Sequence, residues 1–128
     1  MEVFGSRWKN HWQRIAADWK SRVSDDDVVL IAGDTSWAMH LKEAQEDLDQ
    51  IRALPGKKII IRGNHDYWWE SAGKLNRMDA ENNMQYLYGS TAVLGDKDIA
   101  ICGTHGWVCP GDIHYQEDRD AKPYRRGL

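Results

Sequence analysis

No apolar run in the sequence approaches the ~18 residues of a membrane-spanning helix, so no transmembrane segment is expected. The opening stretch MEVFGSRWKNHW has no apolar h-region and carries charge and tryptophan instead, so it does not read as a secretory signal. The expected compartment is the cytoplasm. Cysteine is scarce. Cys102 and Cys109 are the two in the chain, and an intracellular setting keeps such thiols reduced. A charge excess is also lacking: 17 basic residues face 20 acidic ones, for a formal net charge of −3. That is no footprint of a dedicated nucleic-acid binder. Internal repeats and low-complexity segments are absent. What remains is a 128-residue chain, enough for one domain with a modest core. Its seven tryptophans imply either a Trp-rich core or a partly exposed aromatic surface.

Trp8, Trp12, Ile15 and Trp19 share one helical face and predict a helix over 8–20. Val28-Val29-Leu30-Ile31 is a short β-branched run that predicts a strand buried on both faces. It ends at Gly33-Asp34, where Thr35 or Ser36 can cap a following helix carrying Trp37, Leu41, Ala44, Leu48, Ile51 and Leu54. Pro55-Gly56 stops that helix, and a second apolar strand is predicted over 58–62. Strand, helix, strand with this crossover length gives a parallel pair. In an open α/β sheet, ligand sites lie beyond the carboxyl ends of such strands. Gly33-Asp34 and Gly63-Asn64-His65-Asp66 both stand there. Downstream, a short helix is expected over 67–78. Strands are expected at 85–88, 91–94 and 99–102, with a hairpin loop at 95–98, a loop at 103–111 and a charged helical segment at 115–126.

Asp34, Asn64, His65 and Asp66 are a chemically capable set. A carboxylate can bridge two divalent ions about 3.5–4 Å apart. An Asn oxygen is a neutral hard ligand, a neighbouring His can serve as general acid, and a following Asp can hold that His. Plainer readings stand beside these. Asp34 alone could cap a helix, His65 could be a satisfied core histidine, and His11 could pack between tryptophans. Trp37, Trp68 and Trp69 could be core or loop packing, and His40, Arg52 and the 115–126 charge run could be solvated positions. Cys102, His105, Cys109 and His114 form C-x2-H-x3-C-x4-H, which are zinc-capable types at tight spacing. Cys102 also reads as a buried thiol at the end of an apolar strand.

Gly-Asp followed about thirty residues later by Gly-Asn-His-Asp resembles the calcineurin-like metallophosphoesterases. The strings VFGSRWKNH, GDTSWAM, RGNHDYWW and GTHGWVCPGD are similar to a bacterial subgroup of that family, and the resemblance covers nearly the whole chain. It implies an α/β sandwich of two facing mixed sheets with helices outside. It also implies hydrolysis of phosphate mono- or diesters with two divalent ions such as Mn, Fe or Zn. By the same resemblance Asp34 bridges the metals, Asn64 ligates one, His65 is the catalytic histidine and Asp66 its partner. His11, Trp37 and His105 would contact the phosphoester substrate. A nucleic acid would enter only as such a substrate, and no membrane partner is implied.

The family's Asp-x-His upstream of Gly-Asp, its lone downstream His and its Gly-His-x-His have no counterparts here. The expectation is a single domain fragment over 1–128 that lacks the Asp-x-His strand and the Gly-His-x-His region. It should be weakly active or inactive as this chain, with an unpaired apolar edge at the strand 28–33. The alternatives are a non-catalytic binding module that keeps the fold, or a small zinc protein. One zinc per chain, lost on Cys109→Ser and kept on Asp34→Ala, would mark the last.

Overall fold

A computed structural model describes residues 10–95, 97–105, 113, 116, 117 and 119. The elements are α1 (His11–Arg22), β1 (Val28–Ile31), α2 (Leu41–Arg52), β2 (Lys57–Ile61), α3 (Ala72–Met78), β3 (Met84–Leu87), β4 (Ser90–Leu94) and β5 (Ile99–Gly103). This is the α/β architecture expected. Strands β1, β2 and β3 form a parallel sheet in that order, and β4 and β5 form an antiparallel hairpin. Neither sheet is mixed among the described residues, unlike the mixed sheets the resemblance implied. No helix among the described residues is long and apolar enough to cross a membrane.

The central strand is β2, and its three consecutive isoleucines explain why. Successive side chains point to opposite faces. Ile60 meets Ala44, Leu48 and Ile51 of α2 together with Trp68, Trp69, Leu75 and Tyr86 on one face. Ile59 meets Leu87, Ala92 and Leu94 on the other, with Ile61 packed against them. The parallel sheet is thus a partition between a helical, tryptophan-rich core and a smaller core under the hairpin. Trp12 of α1 packs against the first. Tryptophan supplies both core and surface: Trp68 and Trp69 are buried, whereas Trp37 is 58% exposed.

Four expectations need correction. First, β1 is not buried on both faces: Leu30 is 54% exposed. Among the described residues β1 is an edge strand, with no partner strand on its second hydrogen-bonding side. Second, α2 begins at Leu41, with His40 at its N-cap and no side-chain cap. Neither Thr35 nor Ser36 caps it, because the amides of 34–36 are held elsewhere, as described below. Trp37 therefore lies outside the helix. Third, α3 starts only after Ser71, whose side chain accepts from the Lys74 amide. Trp68 and Trp69 turn inward before it instead of forming its first turn. Fourth, Arg52 is not solvated. Its Nε and Nη2 donate to the two oxygens of Asp79 at 2.7 and 3.0 Å, and Asp79 also accepts from Tyr86 and Asn82.

Candidate active site

The site is built where β1 and β2 end side by side, because parallel strands in register (Leu30 beside Ile59, Ile31 beside Ile60) deliver their C-terminal loops to the same place. The loops touch at glycines. A Cβ on Gly33 would stand 2.7 Å from both Cα and N of Gly63, and one on Gly63 would collide with the Asp34 carboxylate and amide. Gly33 at φ 100° and Asp34 at φ 53° are both left-handed, which turns the Asp34 side chain back toward the second loop. Gly63→Ala is accordingly expected to lower stability by about 1–3 kcal/mol through overpacking and to separate the loops. A denaturant midpoint equal to that of the unaltered chain would show that the two loops do not need this approach.

Asp66 clasps the loops together. It is 1% exposed. Its Oδ2 accepts from the amides of Asp34 and Gly63 at 2.9 and 2.7 Å. Its Oδ1 accepts from the amides of Thr35 and Ser36 at 2.8 and 3.2 Å and from the Trp68 indole at 3.0 Å. Both oxygens are occupied, so Asp66 is not the partner of His65. That corrects the pairing expected from the motif: the geometry points His65 at Asp34. His65 Nδ1 lies 3.0 Å from Asp34 Oδ2, and the His65 amide donates to Asp34 Oδ1 at 3.0 Å.

The electrostatics follow from these contacts. The Asp34 carboxyl is held below the usual carboxylate range, first by the His65 side-chain hydrogen bond and then by the His65 amide, with the nearby charges of His65 and His105 adding to it against a small opposing effect of burial. Asp34 thus stays ionised at neutral pH and into mild acid. The His65 ring is stacked on Trp37, with centroids 5.1 Å apart and planes 17° apart, and Tyr67 meets it edge-on at 6.2 Å.

The remaining expected residues fall at different distances from this centre. Asn64 is exposed at the tip of the second loop. His105 follows β5, whose last residue Gly103 packs directly on Ile61 of β2, so the end of the hairpin abuts the end of the sheet. His11, at the start of α1, lines a cleft of about 360 Å³ together with Asp34 and Trp37. The structure therefore brings His11, Trp37, His65 and Asp34 into one neighbourhood. Sequence reading gave Trp12, Thr35, Ser36 and Ile51 of that cleft structural roles alone and named neither Gln50 nor Asp47. A usable signal existed for the last two, since polar Asp47 and Gln50 follow buried Ala44 and Leu48 on the flank of α2.

Against this geometry, the family model of the calcineurin-like phosphoesterases matches residues 6–126. The chain belongs to the calcineurin-like phosphoesterase family. No curated protein and no solved structure is significantly similar to it.

Membership raises the question of metal, since this family is metal-dependent in general. The residues present fit a divalent cation in kind. Asp34 offers an ionised carboxylate, Asn64 a neutral oxygen, and both are hard donors suited to such ions. They do not fit in number: among the described residues no group of three or more His, Cys, Asp or Glu converges to hold a metal. The separate zinc set is half outside the described residues, where Cys109 and His114 lie. Cys102 is exposed, not buried as expected at a strand end, and its Sγ sits 3.2 Å from Thr91 Oγ1. The reason is strand alternation at the hairpin: Gly103 and Ile101 face the core, so Cys102 faces out.

Proposed function

We propose that this chain carries the Gly-Asp and Gly-Asn-His-Asp part of a centre for metal-dependent hydrolysis of phosphate mono- or diesters, and that turnover by the 128-residue chain alone is weak or nil. The observation that supports the reading best is the juxtaposition of Asp34 and His65 at the ends of adjacent parallel strands, with Asp66 fastening the two loops. In this reading Asp34 and Asn64 would contribute ligands to a centre for divalent ions such as Mn, Fe or Zn. When bound, such ions supply Lewis acidity and a nucleophilic water at neutral pH.

The chain's own residues do the rest. Asp66 spends its charge on backbone amides and so fixes where Asp34 points. Asp34 anchors His65 through Nδ1, which leaves Nε2 on the far side of the ring as the atom that holds a proton for a departing alkoxide. Trp37 restrains the ring plane by stacking. The shortage of donors supports the second half of the reading, because two ligands leave most of a cation's shell to water.

The test is a calorimetric titration with Mn²⁺. Weak binding is expected for the unaltered chain, with none detectable for Asp34→Asn and a loss of about tenfold or more for Asn64→Ala. Equal affinity in Asp34→Asn would remove Asp34 from the metal site. Assayed with bis(p-nitrophenyl) phosphate and Mn²⁺, the chain should stay near background, and brisk turnover would overturn the claim of an incomplete centre.

A further inference from the structure

The cleft beside Asp34 has a composition that selects a ligand. Its volume, about 360 Å³, lies in the range of small-molecule sites. It suits one compact group better than a stretch of polymer. Trp12, Trp37 and Ile51 provide apolar surface, while Ser36, Asp47 and Gln50 provide a polar edge. No lysine or arginine is among the described residues that line it, and two carboxylates, Asp34 and Asp47, are. The two carboxylates favour a group that donates hydrogen bonds.

The polar edge is arranged for a heteroaromatic ring. Asp47 Oδ2 accepts from Ser36 Oγ at 2.5 Å, which holds this carboxylate against the site loop. The Gln50 amide carries a donor and an acceptor side by side, the pattern that matches an adenine edge. Indole faces are the usual platform for an unstacked base. Trp37 joins the cleft to His65, since it lines the first and stacks on the second.

We propose that this cleft binds a nucleoside, with the base between indole surface and the Asp47–Gln50 edge. Its position makes it the leaving-group subsite, so that the substrates are nucleoside phosphoesters. This last step rests on the function proposed above, whereas nucleoside binding itself does not.

The test therefore uses adenosine, which has no phosphate, and the metal-free full chain. Tryptophan fluorescence should be quenched saturably, with a dissociation constant at or below about 1 mM. Gln50→Ala and Asp47→Asn should each weaken binding about five- to tenfold, and Trp37→Ala about tenfold. Positions 37, 47 and 50 are exposed, so these variants keep the core intact. Absence of saturation by about 10 mM adenosine, on the same affinity scale, would overturn the proposal. So would adenosine affinity unchanged by Gln50→Ala and Asp47→Asn, or tight binding of choline in place of adenosine, which would mark a cation–π pocket. A failed Mn²⁺ titration with intact adenosine binding would remove the phosphoesterase reading and leave the nucleoside site standing.

Discussion

Asp66→Ala is expected to lower the stability of this chain by about 3–5 kcal/mol, most of what a small domain has. The carboxylate is buried and accepts from four backbone amides and one indole. Removing it strands donors that were desolvated in its favour, at about 1–3 kcal/mol for each one that water cannot reach. Ser36 and Trp68 are buried and cannot recover a partner easily, whereas Asp34 and Gly63 border solvent. Asp66→Asn is the sharper variant. It keeps the shape but presents an NH₂ where either two or three N–H groups point, so about half of the effect should persist. The readouts are a denaturant midpoint and amide hydrogen exchange at 34–36 and 63, which should accelerate together. A loss below about 1 kcal/mol with unchanged exchange would refute the clasp. The same experiment separates a clasp from a mere partner of His65, because loss of the latter would leave the 34–36 amides alone.

Asp79→Ala is the second large expected loss, again about 3–5 kcal/mol, through a different mechanism. Asp79 is 1% exposed and receives both guanidinium donors of Arg52, the Tyr86 hydroxyl at 2.5 Å and the Asn82 amide at 2.9 Å. Deleting it leaves a half-buried guanidinium with only Asp49 and Gln45 as partners and a buried phenol without its acceptor. Burial alone would raise the Asp79 carboxyl, but the hydrogen bonds from Arg52, Tyr86 and Asn82 outweigh it and hold the group below its ordinary value. Burial and then the hydrogen bond to Asp79 push the Tyr86 hydroxyl up, and the hydrogen bond to Asp79 raises the Arg52 guanidinium against the opposing effect of burial.

The sign for pH follows. A carboxyl with a depressed folded-state pKa contributes its full stability above the unfolded value, about 3.9, and loses it as pH falls through the lower folded value. The unaltered chain should therefore lose stability below about pH 4, and the gap to Asp79→Asn should narrow there. Urea midpoints of both proteins at about pH 7 and about pH 3 check this. A gap that stays constant or widens in acid would mean that the Asp79 charge carries no stability.

Much of the architecture was legible from residue order, and for a local reason. The run Lys58-Ile59-Ile60-Ile61, the spacing of Ala44, Leu48 and Ile51, and the stop at Pro55-Gly56 each declare an element within a few residues of itself. Two such strands joined by one helix imply a parallel pair, and a parallel pair implies that Gly33-Asp34 and Gly63-Asn64-His65-Asp66 come together at one end. The strand alternation of the hairpin was also readable, although Cys102 was assigned to its wrong face because one strand end gives little phase information.

The partners of the polar side chains were another matter. That Asp66 holds backbone amides while Asp34 holds His65, that Arg52 turns inward to Asp79, and that Trp37 stays outside α2 to stack on His65 all depend on contacts some thirty residues apart in the chain. Residue type and spacing by themselves determined the two strand-end clusters and their family. Only the tertiary structure decided which carboxylate fastens the two loops and which faces His65, because a carboxylate's partners are the donors that reach it, and those donors arrive from other elements.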